Sequence, residues 1–253
     1  MFENKICLIV GGLGSIGLEL SMRLANQGAM VIATSTSEDK ISQSYHQNIS
    51  NVMLKDASDF NALEQLCIDI IEKFQTIDIA INCAGSIMIK SAHQTSQSDF
   101  EDCLKTNLFS AFSLVRAVSK MVVTKGLTKE NDKQVAILLF SSVAAKIGIA
   151  NHEAISSAKS AIEGLVRSAS ATYASKNIRI NAIAPSLTNT KLANFITKNP
   201  NALEASKAMH PLNRIGEVGD IANVAEMLIN PQNSWITGQV ISVDGGLSTI
   251  KKI

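Results

Sequence analysis

Four glycines and a serine stand within seven residues near the start of the chain, directly after the apolar run Ile6 to Val10. They are Gly11, Gly12, Gly14, Ser15 and Gly17. Without side chains, such a turn brings its backbone N–H groups close to a pyrophosphate, and a helix N-terminus behind it stabilises the negative charge. The pattern therefore predicts a dinucleotide-binding turn, with an ordinary tight turn as the alternative. Ser15 would either cap the following helix or donate its hydroxyl to a phosphate.

A second group of residues able to bind a cofactor ends the next apolar run, Met30 to Ala33. It consists of four hydroxyl side chains, Thr34, Ser35, Thr36 and Ser37. A dinucleotide fold that prefers NAD usually has an acidic residue here to bind the ribose 2′-hydroxyl. A 2′-phosphate would meet no like charge and could accept hydrogen bonds from Ser35, Thr36 or Ser37. The sequence favours NADP(H), leaves NAD(H) possible, and has a polar loop without selectivity as its alternative reading.

The elements that must position these residues alternate along the chain. After the first two strands, apolar runs predict strands at Val52 to Leu54, Ile77 to Asn82, Gln134 to Phe140, Ile178 to Ala184 and Gln239 to Val243. Helical spacing predicts helices capped by Asp59 and running to Phe74, from about Asp99 to Val122, around His152 to Ala174, and from Asp220 to Leu228.

This alternation predicts an α/β fold. We expect a single-domain, Rossmann-like doubly wound structure over residues 1–253, with a parallel sheet of about seven strands and helices on both faces. The segment 186–213 is long, polar and lightly patterned, as is typical of a mobile substrate lid.

Composition and charge exclude several classes of protein. Hydrophobic residues make up 46% of the chain, enough for a sizeable core, and the formal net charge is +1 with scattered Lys and Arg. Nucleic acid and membrane surfaces are therefore not expected as partners. No apolar segment approaches the ~20 residues of a membrane span. Because the first strand begins at Ile6, we expect no signal peptide. The four cysteines lack metal-ligand spacing, so we expect no metal site and a cytoplasmic location.

Several short motifs occur in a consistent order along the chain. They are GGLGSIG from Gly11, Asp56, NCAG from Asn82, Asn107, Ser142, Lys159, INAIAP from Ile180, Thr190, and TGQVISVDGG from Thr237. Together they resemble the short-chain dehydrogenase/reductase family over nearly the whole chain, and in detail its 3-oxoacyl-carrier-protein reductase branch. Ser15 stands where that family has a glycine.

The resemblance implies roles for individual residues. Asp56 would bond the adenine amino group, Asn82 would steady the central strands, and Thr190 would hold the nicotinamide carboxamide. The cofactor would lie along Gly11, Gly14, Ser15, Ile16, Gly17, Ser35, Thr36, Asp56, Ala57, Asn82, Ala84, Gly85, Lys159, Pro185, Thr188 and Thr190.

The resemblance also implies a set of residues at the reacting centre. Lys159 would bind the nicotinamide ribose, Ser142 would donate a hydrogen bond to the substrate oxygen, and Asn107 would hold a water of the proton relay. A small-molecule or acyl-thioester substrate and a homotetramer, or a dimer, are implied as partners.

One position departs sharply from the family. The catalytic Tyr lies four residues before the ribose-binding Lys, and that position is Ile155 here. Hydride transfer to a carbonyl leaves an alkoxide that needs a proton, which a phenol would supply. Losing one positioned general acid typically costs about 10² to 10⁴ in rate.

His152 is a candidate replacement for the missing phenol. It lies seven residues before Lys159, which puts it on the same face of the predicted helix. An imidazole with an ordinary pKa near 6.5 can donate a proton at neutral pH. A structural histidine at the start of the helix is the alternative.

Two classes of function remain open from the sequence. The first is an NAD(P)-dependent oxidoreductase, NADP(H)-preferring, acting on a carbonyl or acyl thioester, with reduction of a dienoyl or enoyl thioester as a variant. The second is a cofactor-binding pseudoenzyme that acts as a sensor. Ser142, Asn107 and Lys159 favour the first, and Ile155 favours the second.

Overall fold

A seven-stranded parallel sheet forms the centre of the protein. The structure is a computed structural model, and it describes residues 1–128 and 133–251. The strands are β1 (Ile6–Val10), β2 (Met30–Ser35), β3 (Ile49–Met53), β4 (Ile79–Asn82), β5 (Val135–Phe140), β6 (Ile178–Pro185) and β7 (Val240–Val243). Their spatial order is β3-β2-β1-β4-β5-β6-β7. The predicted Rossmann-like fold class is confirmed.

The strand order reverses between β1 and β4. The chain first builds outward from β1 through β2 to β3, and then crosses back to place β4 on the other side of β1. Ile9 pairs with Ile81 and Val10 with Asn82, so the turn after β1 and the turn after β4 lie side by side. In doubly wound folds, the crevice at such a reversal is where ligands bind.

Helices cover both faces of the sheet. They are α1 (Ser15–Asn26), α2 (Glu38–Ile41), α3 (Phe60–Phe74), α4 (Gln97–Leu104), α5 (Ser110–Lys125), α6 (Glu153–Tyr173), α7 (Asn194–Thr197), α8 (Pro200–Met209) and α9 (Val218–Ile229). One apolar layer packs α1 and α9 against the sheet, and the other packs α3, α5 and α6. All five residues of β1 are buried, as its unbroken apolar sequence predicts.

The helix predicted from Asp99 to Val122 is interrupted. The structure has α4, then a π-helical turn over Lys105–Phe109, then α5. Asn107 lies in the turn, fully buried, and its Nδ2 donates to the Cys103 carbonyl at 2.9 Å. An amide that hydrogen-bonds the backbone within a helix competes with regular helical bonding, which the apolar spacing alone does not reveal.

The predicted lid, residues 186–213, has more regular structure than its sequence pattern suggested. It contains α7 and α8, and α8 begins with Pro200 behind an Asn199 cap that accepts from two backbone N–H groups. Several strand boundaries also differ, and the differences of two or more residues are that β2 ends at Ser35 rather than Ala33, β3 begins at Ile49 rather than Val52, and β4 begins at Ile79 rather than Ile77. Within the described residues, none of the helices has the length and apolar character needed to cross a membrane.

Candidate functional site

The glycine turn after β1 leads directly into α1. Gly14 is the N-cap of this helix and no side chain caps it, and the first turn carries no acidic residue. The first N–H groups of a helix have no intrahelical partner, so this end is suited to a negatively charged group.

The glycines of the turn serve two different needs. A Cβ on Gly11, whose φ is +71°, would lie 2.9 Å from the Ala84 nitrogen, and one on Gly17 would lie 2.3 Å from the Gly11 carbonyl oxygen. These two glycines are required by the close packing of the chain on itself. A Cβ on Gly14 would meet only the Gly11 oxygen, at 3.2 Å. Gly14 therefore leaves the surface over the helix end clear for a ligand.

Ser15 does not cap α1, because it is the first residue of the helix. The capping alternative for Ser15 was wrong. Its Oγ accepts a hydrogen bond from the Lys191 backbone nitrogen at 3.0 Å. A glycine at this position could not make that contact, which ties the segment 186–213 to the glycine turn.

The turn after β4 is held from two sides by Asn82. Its Nδ2 donates to Ser110 Oγ at 3.0 Å, and its Oδ1 accepts from the Ala84 nitrogen at 3.1 Å. Asn82 is buried, and through these bonds it fixes the turn that carries Ala84 and Gly85 against α5. Two further positions of the expected cofactor set, Ile16 and Ala57, are partly buried against the apolar layers.

The end of β2 presents hydroxyl groups, and the paired strand β3 leads to a lysine two residues beyond its end. Ser35 Oγ accepts from the Ser37 nitrogen at 3.1 Å, and Thr36 is exposed. Ser35 pairs with Met53 of β3, and the Leu54 nitrogen donates to the Ser35 carbonyl at 3.0 Å. The next residue along, Lys55, is exposed at this corner. Sequence reasoning missed it because only strand pairing shows that the residue before it, Leu54, bonds to the end of β2.

Asp56 is already engaged by neighbouring groups. Lys105 Nζ lies 2.8 Å from its Oδ2, while Ser58 donates to its Oδ1 from both the backbone nitrogen and the hydroxyl. The bond from Lys105, followed by those from Ser58, lowers the pKa of Asp56 to about 2. This carboxylate therefore stays ionised and able to accept a further hydrogen bond at the edge of the crevice.

Lys159 places an ammonium group inside the site. Lys159 is only 8% exposed, and its Nζ donates to the Phe140 carbonyl at 2.9 Å. Burial lowers its pKa to about 8, since no carboxylate among the described residues forms a salt bridge with it. A buried ammonium with spare N–H donors is suited to a polar ligand such as a ribose diol.

Asn107 lies beside this ammonium group. A Cβ on Gly85 would lie 3.1 Å from Asn107 Oδ1 and 3.6 Å from Lys159 Nζ, so the two polar groups flank the same glycine. Asn107 Oδ1 accepts from the Ser86 nitrogen at 3.2 Å. The π-helical turn brings Asn107 into line with Lys159.

Ser142 stands at the end of β5, next to β6. Its Oγ accepts from the Ala144 nitrogen at 3.2 Å, which leaves its hydroxyl proton for another acceptor. The preceding Ser141 takes a different role, because its Oγ lies 2.9 Å from Glu163 Oε1 and 3.3 Å from the Lys159 carbonyl oxygen, two acceptors for its single hydroxyl proton. Ser141 thus joins β5 to α6 and helps to position Lys159.

The residues after β6 form the entry to the lid. Pro185 ends the strand, and Thr188 donates its hydroxyl to the Ser186 carbonyl at 3.0 Å. Thr190 Oγ1 accepts from the Ala193 nitrogen at 3.3 Å, so it caps the short turn that follows. The hydroxyl groups of both threonines therefore form hydrogen bonds with backbone atoms of their own loop.

Ile155 lies within an apolar cluster. It is 5% exposed and is grouped with Cys103, Ala154 and Ala158. Its side chain can neither donate nor accept a proton. Of the two tyrosines, Tyr173 lies at the far end of α6, about 21 Å along the helix from Lys159, and Tyr45 packs at the opposite layer of the core.

His152 is the residue preceding α6. It is half-buried, and its Nδ1 lies 2.8 Å from the Ala150 carbonyl oxygen. A carbonyl accepts only, so Nδ1 carries a proton and Nε2 is the nitrogen available for chemistry. His152 lies about 10 Å before Lys159 along the helix axis.

These residues fit a nicotinamide dinucleotide. The uncapped helix end with its cleared surface suits a pyrophosphate, and the buried ammonium flanked by Asn107 suits a ribose. Both lie along the edge formed by the carboxyl ends of the parallel strands.

The chain is similar to known proteins over nearly its whole length. A protein-family model described as Enoyl-(Acyl carrier protein) reductase matches residues 11–248. The chain is similar to 3-oxoacyl-[acyl-carrier-protein] reductase FabG of Vibrio cholerae, with 28% identity over 98% of this chain and 99% of the relative. The same reductase of Buchnera aphidicola is 30% identical over 97% of this chain and 98% of the relative.

Solved structures show the same architecture. ElxO with NADP bound has a TM-score of 0.88 and 28% identity, covering 98% of this chain and 100% of that one. The crystal structure of gox2181, at 24% identity, has a TM-score of 0.90 over 99% of this chain and 100% of that one, which supports the fold alone.

Proposed function

The chain belongs to the short-chain dehydrogenase/reductase family of oxidoreductases, and from that premise we propose that it is an NADP(H)-preferring reductase of a carbonyl or acyl-thioester substrate. The observation that carries the proposal is the buried Lys159 ammonium beside Asn107, on the same strand edge as the uncapped end of α1. A bound reduced nicotinamide would supply the hydride. The chain's own residues bind it, orient it and handle the proton.

Each residue has a definite task in this proposal. The first turn of α1 binds the pyrophosphate, Lys159 binds the ribose hydroxyls, and Ser142 donates its free hydroxyl proton to the substrate oxygen. Asn107 holds a water next to Lys159, and Asp56 accepts from the adenine. Thr190 releases the Ala193 nitrogen to reach the carboxamide.

The preference for NADP(H) is supported by the charge at the end of β2. Ser35 and Thr36 offer hydroxyl groups, and the pairing of β2 with β3 brings Lys55 to the same corner. A 2′-phosphate would meet the Lys55 ammonium there. The next acidic residues after the β2 hydroxyls, Glu38 and Asp39, belong to the following helix α2.

The proton donor is a separate question, because Ile155 cannot fill that role. His152 is the candidate that the sequence offers, through its Nε2. Its replacement by alanine would abolish turnover if it supplies the proton.

The test of the proposed function measures binding and turnover separately. We expect the purified protein to bind NADPH more tightly than NADH in a fluorescence titration, and to oxidise NADPH in the presence of acetoacetyl or 2,4-dienoyl thioesters. The dienoyl substrate distinguishes reduction of a C=C bond from reduction of a ketone. Failure to bind either nucleotide would falsify the proposal.

A second function is favoured by one observation, the apolar surroundings of Ile155. A protein that binds the cofactor tightly but reduces no substrate would be a sensor whose lid reports the bound state. Tight NADPH binding with no turnover on either thioester would favour this alternative.

The assembly we propose is a homotetramer, or a dimer. Three aromatic side chains of the α4–α5 segment, Phe100, Phe109 and Phe112, are 39%, 48% and 44% exposed. Burying them against a second copy of the chain would remove apolar surface from water.

A further inference from the structure

Ser186 and His210 form a hydrogen-bonded pair that the cofactor site does not use. Ser186 Oγ lies 2.7 Å from His210 Nε2. His210 is buried, 3% exposed, although it belongs to the lid, and Ser186 is half-buried just after β6. A buried titratable group held at such a distance from a hydroxyl is an arrangement that can move protons.

The protonation pattern of this pair follows from its second bond. His210 Nδ1 lies 2.6 Å from the Ser206 carbonyl oxygen. Because a carbonyl can only accept, Nδ1 carries a proton in both the neutral and the cationic imidazole. Proton exchange is therefore directed to Nε2, and through it to Ser186 Oγ.

The pair lies next to the reacting end of the sheet. Phe140 of β5 pairs with Ile183 of β6, and the Ser141 nitrogen donates to the Ile183 carbonyl at 2.8 Å. The next residues of the two strands are Ser142 and, across from it, Pro185. Neighbouring strands lie about 5 Å apart. Ser186 follows Pro185 directly, so its backbone lies one residue beyond the position across from Ser142, where its nitrogen donates to the Val243 carbonyl of β7 at 3.3 Å.

The other side of the pair opens into a cavity of about 250 Å³. Its lining includes Ser186, His210, Ser242, Asp244, Gly245 and Gly246. A cavity of this size with polar walls can hold several water molecules. It gives His210 a source from which to regain a proton.

The charged groups around His210 are engaged with other partners. Across from it, the Asp244 carboxylate accepts from the Gly246 and Ser248 nitrogens at 2.9 and 3.0 Å, and from the Ser248 hydroxyl. On the loop before α9, Arg214 pairs with Asp220 at 2.6 Å. On its own helix, Lys207 pairs with Glu204 at 2.8 Å.

We propose that Ser186 and His210 form the proton relay that stands in for the phenol missing at Ile155, with Ser186 as the group that touches the substrate oxygen. This inference rests on the proposed reductase function. It names a donor different from His152, and the experiment below compares the two.

The relay balances as a single proton transfer. Hydride addition to the carbonyl carbon breaks the C=O π bond and leaves the electron pair on oxygen. The Ser186 O–H proton passes to that oxygen, and the Nε2–H proton of the His210 cation passes to Ser186 Oγ. His210 is left neutral, with its Nδ1–H still on the Ser206 carbonyl, and takes a proton from water in the cavity.

A matched set of variants tests the relay, because the chain has four histidines. Each of His46, His93, His152 and His210 is changed to glutamine, and kcat/KM for NADPH-dependent thioester reduction is measured against pH, with NADPH binding measured in parallel. We expect His210→Gln to lower kcat/KM roughly 10²-fold or more and to change the pH profile from that of wild type. NADPH affinity should stay within about threefold.

Two further variants separate chemistry from packing. Ser186→Ala removes the hydroxyl without touching the bond from His210 to Ser206, and should lower kcat by a similar factor. His210→Gly supplied with free imidazole should regain activity in proportion to the imidazole concentration. A role of His210 limited to holding the lid in place would produce neither the changed pH profile nor this rescue.

Several outcomes would overturn the relay. The relay would be contradicted if His210→Gln kept the pH profile of wild type, or if Ser186→Ala kept full activity. It would also be contradicted if, among the histidine variants, only His152→Gln changed the pH profile. Tight NADPH binding with no turnover by wild type contradicts the relay but leaves cofactor binding intact. Absence of NADPH binding contradicts the proposed function itself.

Discussion

The buried Lys159 ammonium lowers the stability of the folded protein, and in the proposed function it serves to bind the cofactor. Its ammonium is buried against a single carbonyl, and burial lowers its pKa to about 8 from an ordinary 10.5. That fall corresponds to about 3 kcal/mol at neutral pH, at 1.36 kcal/mol for each pKa unit. Between pH 8 and 10.5 the unfolded chain binds more protons than the folded one, so the free energy of unfolding rises with pH there.

We therefore expect Lys159→Met to stabilise the protein without its cofactor by about 2 kcal/mol at pH 7, since the lost bond to Phe140 offsets about 1 kcal/mol. The gain should shrink as the pH approaches 10, and NADPH binding should be lost. Urea denaturation at several pH values measures the first effect. Lys176→Met, at an exposed lysine, is the control and should change little. A Lys159→Met protein that is less stable at pH 7 would contradict this account.

Ile155 limits the rate of a reductase with this site, because its side chain cannot supply a proton. Changing Ile155 to Tyr would restore a phenol one helical turn from Lys159, and we expect NADPH-dependent thioester reduction to rise by at least about tenfold. The larger side chain should cost about 1 to 3 kcal/mol of stability, because it enters a packed cluster with Cys103 and Ala158.

Ile155→Phe is the matched control, since it has the size of Tyr without the hydroxyl. It should lose the same stability and gain no activity. Equal rates for the two variants would show that the hydroxyl does not reach the substrate oxygen.

At the scale of elements, the proposed preference for NADP(H) depends on how β2 pairs with β3. The register of β2 against β3 places Ser35 opposite Met53, two residues before Lys55. We expect Lys55→Glu to weaken NADPH binding roughly tenfold, because a charge-assisted contact is worth about 1.5 to 3 kcal/mol, and to leave NADH binding nearly unchanged. The ratio of the two dissociation constants is the measurement.

Lys176→Glu makes the same change of charge just before β6, at the amino end of that strand, and serves as the control. A parallel loss of NADPH and NADH binding in Lys55→Glu would indicate damage to the crevice rather than loss of a phosphate contact.

At the scale of the whole molecule, the proposed assembly would bury the exposed aromatic side chains of the α4–α5 segment. Phe112 stacks on Phe60 with ring centroids 5.7 Å apart, while Phe109 has no such aromatic partner among the described residues and is 48% exposed. We expect Phe109→Glu to lower the mass of the particle measured by light scattering, because a carboxylate is costly to bury in an apolar contact.

Leu192→Glu, on the lid and 51% exposed, is the control and should leave the mass unchanged. A wild-type monomer, or a Phe109→Glu protein of unchanged mass, would contradict an assembly through this segment.

The sequence by itself determined the parallel sheet, its alternation with helices and the glycine turn at the start of α1. Unbroken apolar strands can be buried only between two layers of helices, and glycine is the residue that lets β1, β4 and the turn approach so closely. These are local requirements, so residues that are close together in the sequence, such as Gly11 and Gly17, are enough to predict them.

Only the tertiary structure decided which side chains meet. The π-helical turn that aims Asn107 at Lys159, the pairing of β2 with the strand that leads to Lys55, and the contact of His210 with Ser186 each join residues far apart in the chain. Hydrophobic spacing carries no information on these pairs, because they depend on strand register and on how the lid packs against the sheet.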